Sequence, residues 1–199
     1  MFMSSMQAAA ELGMTDRQVR RVVDAGHIQA ERIAGRLALY ENQVLSYKHA
    51  HAQGRQWLDS TRLAALDMLS GIETERLTGS QKSRLKARIR GMDSNALARR
   101  ILGHTVSMYD AGASEAAIDS ALADELNLVG EWTKVLVARN SKREAAKRRL
   151  VSNPNGRVAI IEGDAEHRRA LEAFALYSFG DTRERTAAAG WLQRQRAAI

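Results

Sequence analysis

Cysteine is missing from the 199 residues, and proline occurs once, at Pro154. Without cysteine the chain can form no disulfide, build no thiolate metal site and use no thiol nucleophile. That composition suits a reducing, cytoplasmic setting. Aromatic residues make up only 5 %, too few for the alternation of basic and aromatic side chains that a single-strand binder uses. Trp57, Trp132 and Trp191 therefore read as packing anchors. No apolar run approaches the ~20 residues of a membrane helix. The opening segment MFMSSMQAAAELGM lacks the cationic start and long apolar run of a signal peptide. The expectation is a protein with no membrane partner, located in the cytoplasm with the nucleoid. Scarce proline and the lack of low-complexity tracts point to a mostly helical, ordered chain. Acidic residues are outnumbered, 23 against 30 Lys and Arg, for a net charge of +7. A surplus of this sign favours a polyanionic partner.

What is present is most informative between Ser4 and Gln53. Ser5 is placed to cap a helix running to about Leu12, with Ala8, Ala9 and Leu12 on one face. Gly13 ends it, since glycine takes the left-handed conformation at little cost. Thr15 is placed to cap a second helix, from about Asp16 to Ala25 and closed by Gly26. Val19, Val22 and Val23 form its apolar stripe, while Arg17, Gln18, Arg20 and Arg21 fall mainly on the other side. A small residue four before the turn glycine and aliphatics six and nine after it suit two helices packed steeply over a tight turn. Ile28 to Ile33 and Arg36 to Tyr40 then read as two strands joined at Ala34-Gly35. Glu41 to about Gln53 reads as a third helix packed through Val44, Leu45 and Tyr47.

Residues 4–53 resemble the winged helix-turn-helix of MerR and excisionase-type DNA-binding proteins. The likeness rests on LGMTDRQVRRVVDAGHI as turn and recognition helix, AERIAGRLALY as wing, and a closing helix that begins EN. It implies a DNA-binding set of Thr15, Arg17, Gln18, Arg20 and Arg21 on the recognition helix, with Arg32 and Arg36 on the wing. Arg17, Gln18 and Arg21 would reach bases or phosphates, and Arg20 phosphate. Arginine suits both tasks because its planar fork grips guanine edges or phosphate oxygens. The wing departs from the usual arginine-rich tip, since Glu31 is acidic there.

Beyond Gly54 the pattern changes. Residues 54–103 read as a helical segment: Trp57 to Leu69 is amphipathic, Ser80 is placed to cap QKSRLKARIRGM, and Asp93-Ser94 to cap NALARRIL. Residues 104–199 read as an α/β interaction region. Strands are expected at HTVSMYDA, EWTKVLVA and RVAIIEG, and a turn at Asn153-Pro154-Asn155-Gly156. Helices are expected at SEAAIDSALADEL, at SKREAAKRRLV with Ser141 as cap, from about Asp164 to Tyr177 and from about Asp181 to Gln195. The fold class expected is mainly α with some β. Basic residues cluster at Lys82–Arg90 and Arg139–Arg149, as phosphate contacts, as solvated helix faces or as docking surfaces for an acidic protein partner. The whole chain also resembles actinobacterial antitoxin-type regulators paired with nucleotidyltransferase-like toxins, through LTGSQKSRLKARIR and ALEAFALYSFGDTRERTAAAGWL. That likeness implies autoregulation of an operon and a toxin as protein partner.

Catalytic patterns are not evident. The five histidines are scattered, and His49 and His51 point to different faces of a helix. No phosphate-binding glycine loop or nucleophile elbow occurs. The pairs Glu115/Asp119 and Asp181/Glu184 read as caps or solvated faces. The expected function is therefore non-enzymatic and free of cofactor or metal: sequence-specific binding of double-stranded DNA by a transcriptional regulator. A homodimer on an inverted repeat fits, since one recognition helix covers few base pairs. The alternatives are an excisionase-like or plasmid-segregation architectural protein, or an interaction module that neutralises a partner.

Overall fold

The computed structural model of the chain describes residues 2–25, 28, 30–33, 35–50, 57–103, 105–110, 118–153 and 156–199, with only the backbone at 42, 46, 49 and 50. It is a mixed α/β structure in two compact units, Met1–Gln53 and Gly54–Ile199.

Unit 1 runs β1 (Phe2–Ser4), α1 (Ser5–Leu12), α2 (Asp16–Asp24), β2 (Ala30–Ile33), β3 (Arg36–Tyr40) and α3 (Glu41–Ala50). Its first two helices begin in the same way. Ser4 and Thr15 are extended, and each side-chain oxygen accepts from the backbone N–H three residues on, at 3.3 Å in both cases. The glutamines at that third position, Gln7 and Gln18, reach back to the cap backbone N–H at 2.8 Å. Two orphan donors are thus satisfied at each helix start. The cap of α1 is Ser4 and not Ser5. The strand geometry of Ser4 is what a cap needs, and it leaves Ser5 buried as the first helical residue. At the other end Gly13 sits at φ 64°, and Met14 N–H donates to the Ala9 carbonyl at 3.0 Å, so the chain turns sharply between α1 and α2. Gly26 and the residues 51–53 lie outside the described residues.

The unit's core is Ala8, Ala9, Val19, Ile28, Leu39 and Val44. Of the expected valine stripe, Val19 is fully buried, while Val22 and Val23 are half-buried against it. Burying one such side chain contributes roughly 1.5–3 kcal/mol. The hairpin register pairs Ile33 with Arg36 and Ala30 with Leu39, and Gly35 takes φ 74° in the connection. The strand β1, which the sequence reading did not include, adds antiparallel to β3 and makes a three-stranded sheet in the order β1-β3-β2.

Unit 2 contains α4 (Asp59–Leu69), α5 (Gly79–Gly91), α6 (Ser94–Leu102), β4 (Val106–Asp110), β5 (Lys134–Ala138), α7 (Ser141–Lys147), β6 (Val151–Ser152), β7 (Val158–Glu162), a 3-10 turn (Ala165–His167), α8 (Arg168–Phe179) and α9 (Thr182–Ala198). The four strands order as β5-β7-β4-β6, with β5 and β7 parallel and the other pairs antiparallel. Alternate residues of β7 face two cores. Ala159 and Ile161 meet the helices α4, α5, α6, α8 and α9, whereas Val158 and Ile160 meet Tyr109, Ile118, Leu136 and Ala145. The helical segment 54–103 and the α/β region 104–199 thus share one core. The strand β7 is buried on both faces, as the apolar run VAIIE suggests.

Several local expectations are corrected. Among the described residues of SEAAIDSALADEL, Ile118 to Leu122 are irregular, Ala123 to Leu126 form a turn, and none is helical. The Ser120 hydroxyl accepts from Ala123 N–H at 2.9 Å and from Leu122 N–H at 3.2 Å, and Glu172 takes the Ala121 N–H at 2.8 Å. Those bonds replace helix bonds, and Asn127 at φ 51° ends the segment. Asn140, not Ser141, caps α7, because Ser141 turns its N–H and hydroxyl to Glu162. Thr78 precedes α5, and no side chain caps it. Trp57 and Leu58 lie ahead of α4, and Trp132 ahead of β5. Gly156 N–H donates to the Asn153 carbonyl at 2.8 Å, while residues 154 and 155 lie outside the described residues.

Candidate nucleic-acid interface

The side chains singled out in the sequence all stand on the outside of unit 1. Thr15, Arg17, Gln18, Arg20, Arg21, Arg32 and Arg36 are each exposed. The structure nevertheless gives them different freedom. Thr15 and Gln18 are the two halves of the α2 capping box, and the Thr15 hydroxyl donates to Gln18 Oε1 at 3.0 Å. Their oxygens are therefore committed to the helix start. Arg20 Nε donates to Asp16 Oδ2 at 2.8 Å, one helical turn back. The Asp16 carboxyl is held below its usual range, first by the Ser5 hydroxyl and then by Arg20.

Arg17 and Arg21 are what remains. They are four residues apart, so they share a face about 6 Å apart along the axis. Among the described residues neither has an ion-pair partner. Beneath them Val19 is sealed into the core, and α1 packs against α2 through the Gly13 turn. The helix is thus rooted on one side and offers two guanidinium groups on the other. Such like-charge neighbours repel by a few tenths of a kcal/mol in an isolated helix. A polyanion would relieve that repulsion.

The hairpin does not bring its two arginines together. Arg32 pairs with Leu37 across the strands, on the face that carries Leu39 and Ala30. Arg36 pairs with Ile33, on the opposite face, immediately after the Gly35 connection. Glu31, the acidic departure in the wing, accepts a hydrogen bond from the Tyr40 hydroxyl. That bond, to a carboxylate, raises the Tyr40 phenol above its ordinary range. The Tyr40 ring also lies against Phe2, tilted by 43° with ring centroids 4.6 Å apart. The strand β1 therefore buttresses the hairpin through Phe2, a contact that no periodicity in the sequence announces. Lys48 on α3 pairs with Glu11 on α1 at 2.8 Å.

In unit 2 two polar clusters tie elements of the fold together. Asp181 and Glu184 form the capping box of α9, with Glu184 also accepting from Thr133. Asp67, Glu166 and His167 place one ligand atom each within 4.8 Å of one another. His167 Nε2 lies 2.7 Å from Asp67 Oδ1, and Arg76 Nε donates to Asp67 Oδ2 at 3.1 Å. Both carboxylate oxygens of Asp67 are thereby occupied. Burial pushes the Asp67 carboxyl up, but His167, Thr74 and Arg76 together bring it below its usual range. The cluster ties the 3-10 turn to α4. No helix among the described residues is long and apolar enough to cross a membrane. No protein-family model, curated protein or solved structure matches the chain.

Proposed function

We propose that the chain is a sequence-specific double-stranded DNA-binding protein, with residues 1–53 acting as a winged helix-turn-helix and the whole serving as a transcriptional regulator. The observation that carries this is the pair Arg17 and Arg21, exposed on a short helix whose opposite side is fixed by Val19. In a major groove such a helix would present its first turns to base edges. Arg17 and Arg21 would supply base or phosphate contacts. Arg20 is a weaker phosphate contact because Asp16 shares its charge, and Thr15 and Gln18 act mainly by building the helix start. Arg36, at the hairpin connection, would reach the neighbouring backbone. Autoregulation of an operon and a toxin partner are what the resemblance implies for the rest of the chain.

The test is selection of bound fragments from the source genome, followed by footprinting. The expected result is a protected site with two half-sites about one helical turn, or a multiple of it, apart. Recovery of fragments with no shared sequence would contradict it.

A further inference from the structure

We propose that α5 carries a second phosphate-binding surface, on unit 2, which grips the backbone of duplex DNA through Arg84, Arg88 and Arg90. It deepens the DNA-binding reading and rests on it. The helix GSQKSRLKARIRG holds five basic residues and no acidic one. The structure sorts those five. Lys82 lies 3.4 Å from Glu73, and Lys86 Nζ donates to the Ile199 carbonyl at 3.1 Å. Arg84, Arg88 and Arg90 are exposed, and among the described residues none has a carboxylate partner.

Three further observations shape the surface. First, the helix is rigidly seated. Leu85 and Ile89 are buried in the core, and Arg196 of α9 donates to the carbonyls of Ile89 at 3.1 Å and Arg90 at 2.8 Å. Second, Arg88 has a fixed neighbour: its guanidinium carbon is 5.4 Å from the Trp57 ring centroid, with that of Arg100 at 5.8 Å. Third, the exposed residues of α5 besides the arginines are Gln81, Ser83, Ala87 and small residues at its ends. Protein interfaces are centred on well-packed aromatic or arginine anchors, and α5 itself exposes no aromatic or large aliphatic side chain, the nearest being the half-buried Trp57 beside Arg88. A phosphate backbone needs only positioned cations.

The helix dipole favours Arg88 and Arg90 in the last turn but gives nothing to Arg84. Arg84 and Arg88 are also a repelling pair four residues apart. The other basic segment behaves differently. Arg139 pairs with Asp164 at 3.0 Å and Arg148 with Glu144 at 2.6 Å, while Lys142, Arg143, Lys147 and Arg149 are exposed on a helix of only seven residues and the turn that follows it.

The experiment measures binding of the full chain to a random-sequence duplex across a salt series, by fluorescence anisotropy, with circular dichroism to confirm folding. The triple variant Arg84→Ala, Arg88→Ala, Arg90→Ala is expected to lower the slope of log affinity against log salt by about 2–3. The matching triple lysine variant is expected to keep the slope, since charge and not packing is at work. An unchanged slope in the folded alanine variant overturns the proposal, as does an equal loss in the lysine variant. If a variant carrying Arg17→Ala and Arg21→Ala keeps full affinity for a selected site while the α5 variant loses slope, the unit 1 reading fails and this one stands. If the unaltered chain binds no duplex, both fail.

Discussion

Arg20 Nε sits 2.8 Å from Asp16 Oδ2, so α2 neutralises one of its own three arginines. The pair is exposed, and its net worth to stability is small. Under the proposed function its consequence lies in binding: Asp16 would repel phosphate and hold Arg20 back. Asp16→Asn is expected to raise affinity for duplex DNA a few-fold at low salt, with the gain fading as salt screens it. Titration of both proteins at two salt concentrations checks this. Equal affinities would show that Asp16 does not face the duplex.

Thr15 stands next to the proposed contacts but is committed to the capping box with Gln18. Thr15→Ala is expected to destabilise the fold by about 1 kcal/mol, and Thr15→Ser to restore most of that. Denaturant melts of the two variants measure it. If both variants melt like the unaltered chain while DNA binding collapses, Thr15 is a contact and not a cap.

Glu172 on α8 is buried, and its burial pushes the carboxyl above the ordinary range despite hydrogen bonds from Ser120 and Ala121. A raised folded value means that the folded state holds its proton longer. Stability from this group is therefore present below the unfolded value, 4.5, and is lost as pH rises toward the folded one. The stability of Glu172→Gln relative to the unaltered chain should accordingly increase as pH rises from about 4.5. Urea melts at stepped pH test the sign, and a difference that falls with pH would contradict it.

Much of unit 1 could be read from the sequence because its signals are local. Gly13, Thr15 and the Ala34-Gly35 connection each act within a few residues, and the helix and strand periods around them agree. Ser4 and Ser5 offer the same capping chemistry one position apart, so the sequence alone does not distinguish them. The strand β1 has only three residues and no alternation, so its place is set by pairing with β3, a long-range event. In unit 2 the apolar run of β7 is legible by itself. The stretch from Ile118 to Leu126 misleads, since Ile118, Leu122 and Leu126 recur every four residues and are all buried, as in a helix. What overrides that period is Ser120 and its bond to Glu172, fifty-two residues away. The candidate site was legible as a set of arginines. Which of the arginines of α2 is held back depends on Asp16, visible at helical spacing, while the commitment of Thr15 and Gln18 to the helix start is visible only as T-x-x-Q.

The most direct measurement is the affinity of Arg17→Ala and Arg21→Ala variants for a selected site, compared with a random duplex. Each substitution is expected to weaken binding to the selected site by about 1–3 kcal/mol and to narrow its advantage over the random duplex. Two folded variants that bind the selected site as tightly and as selectively as the unaltered chain would contradict the account.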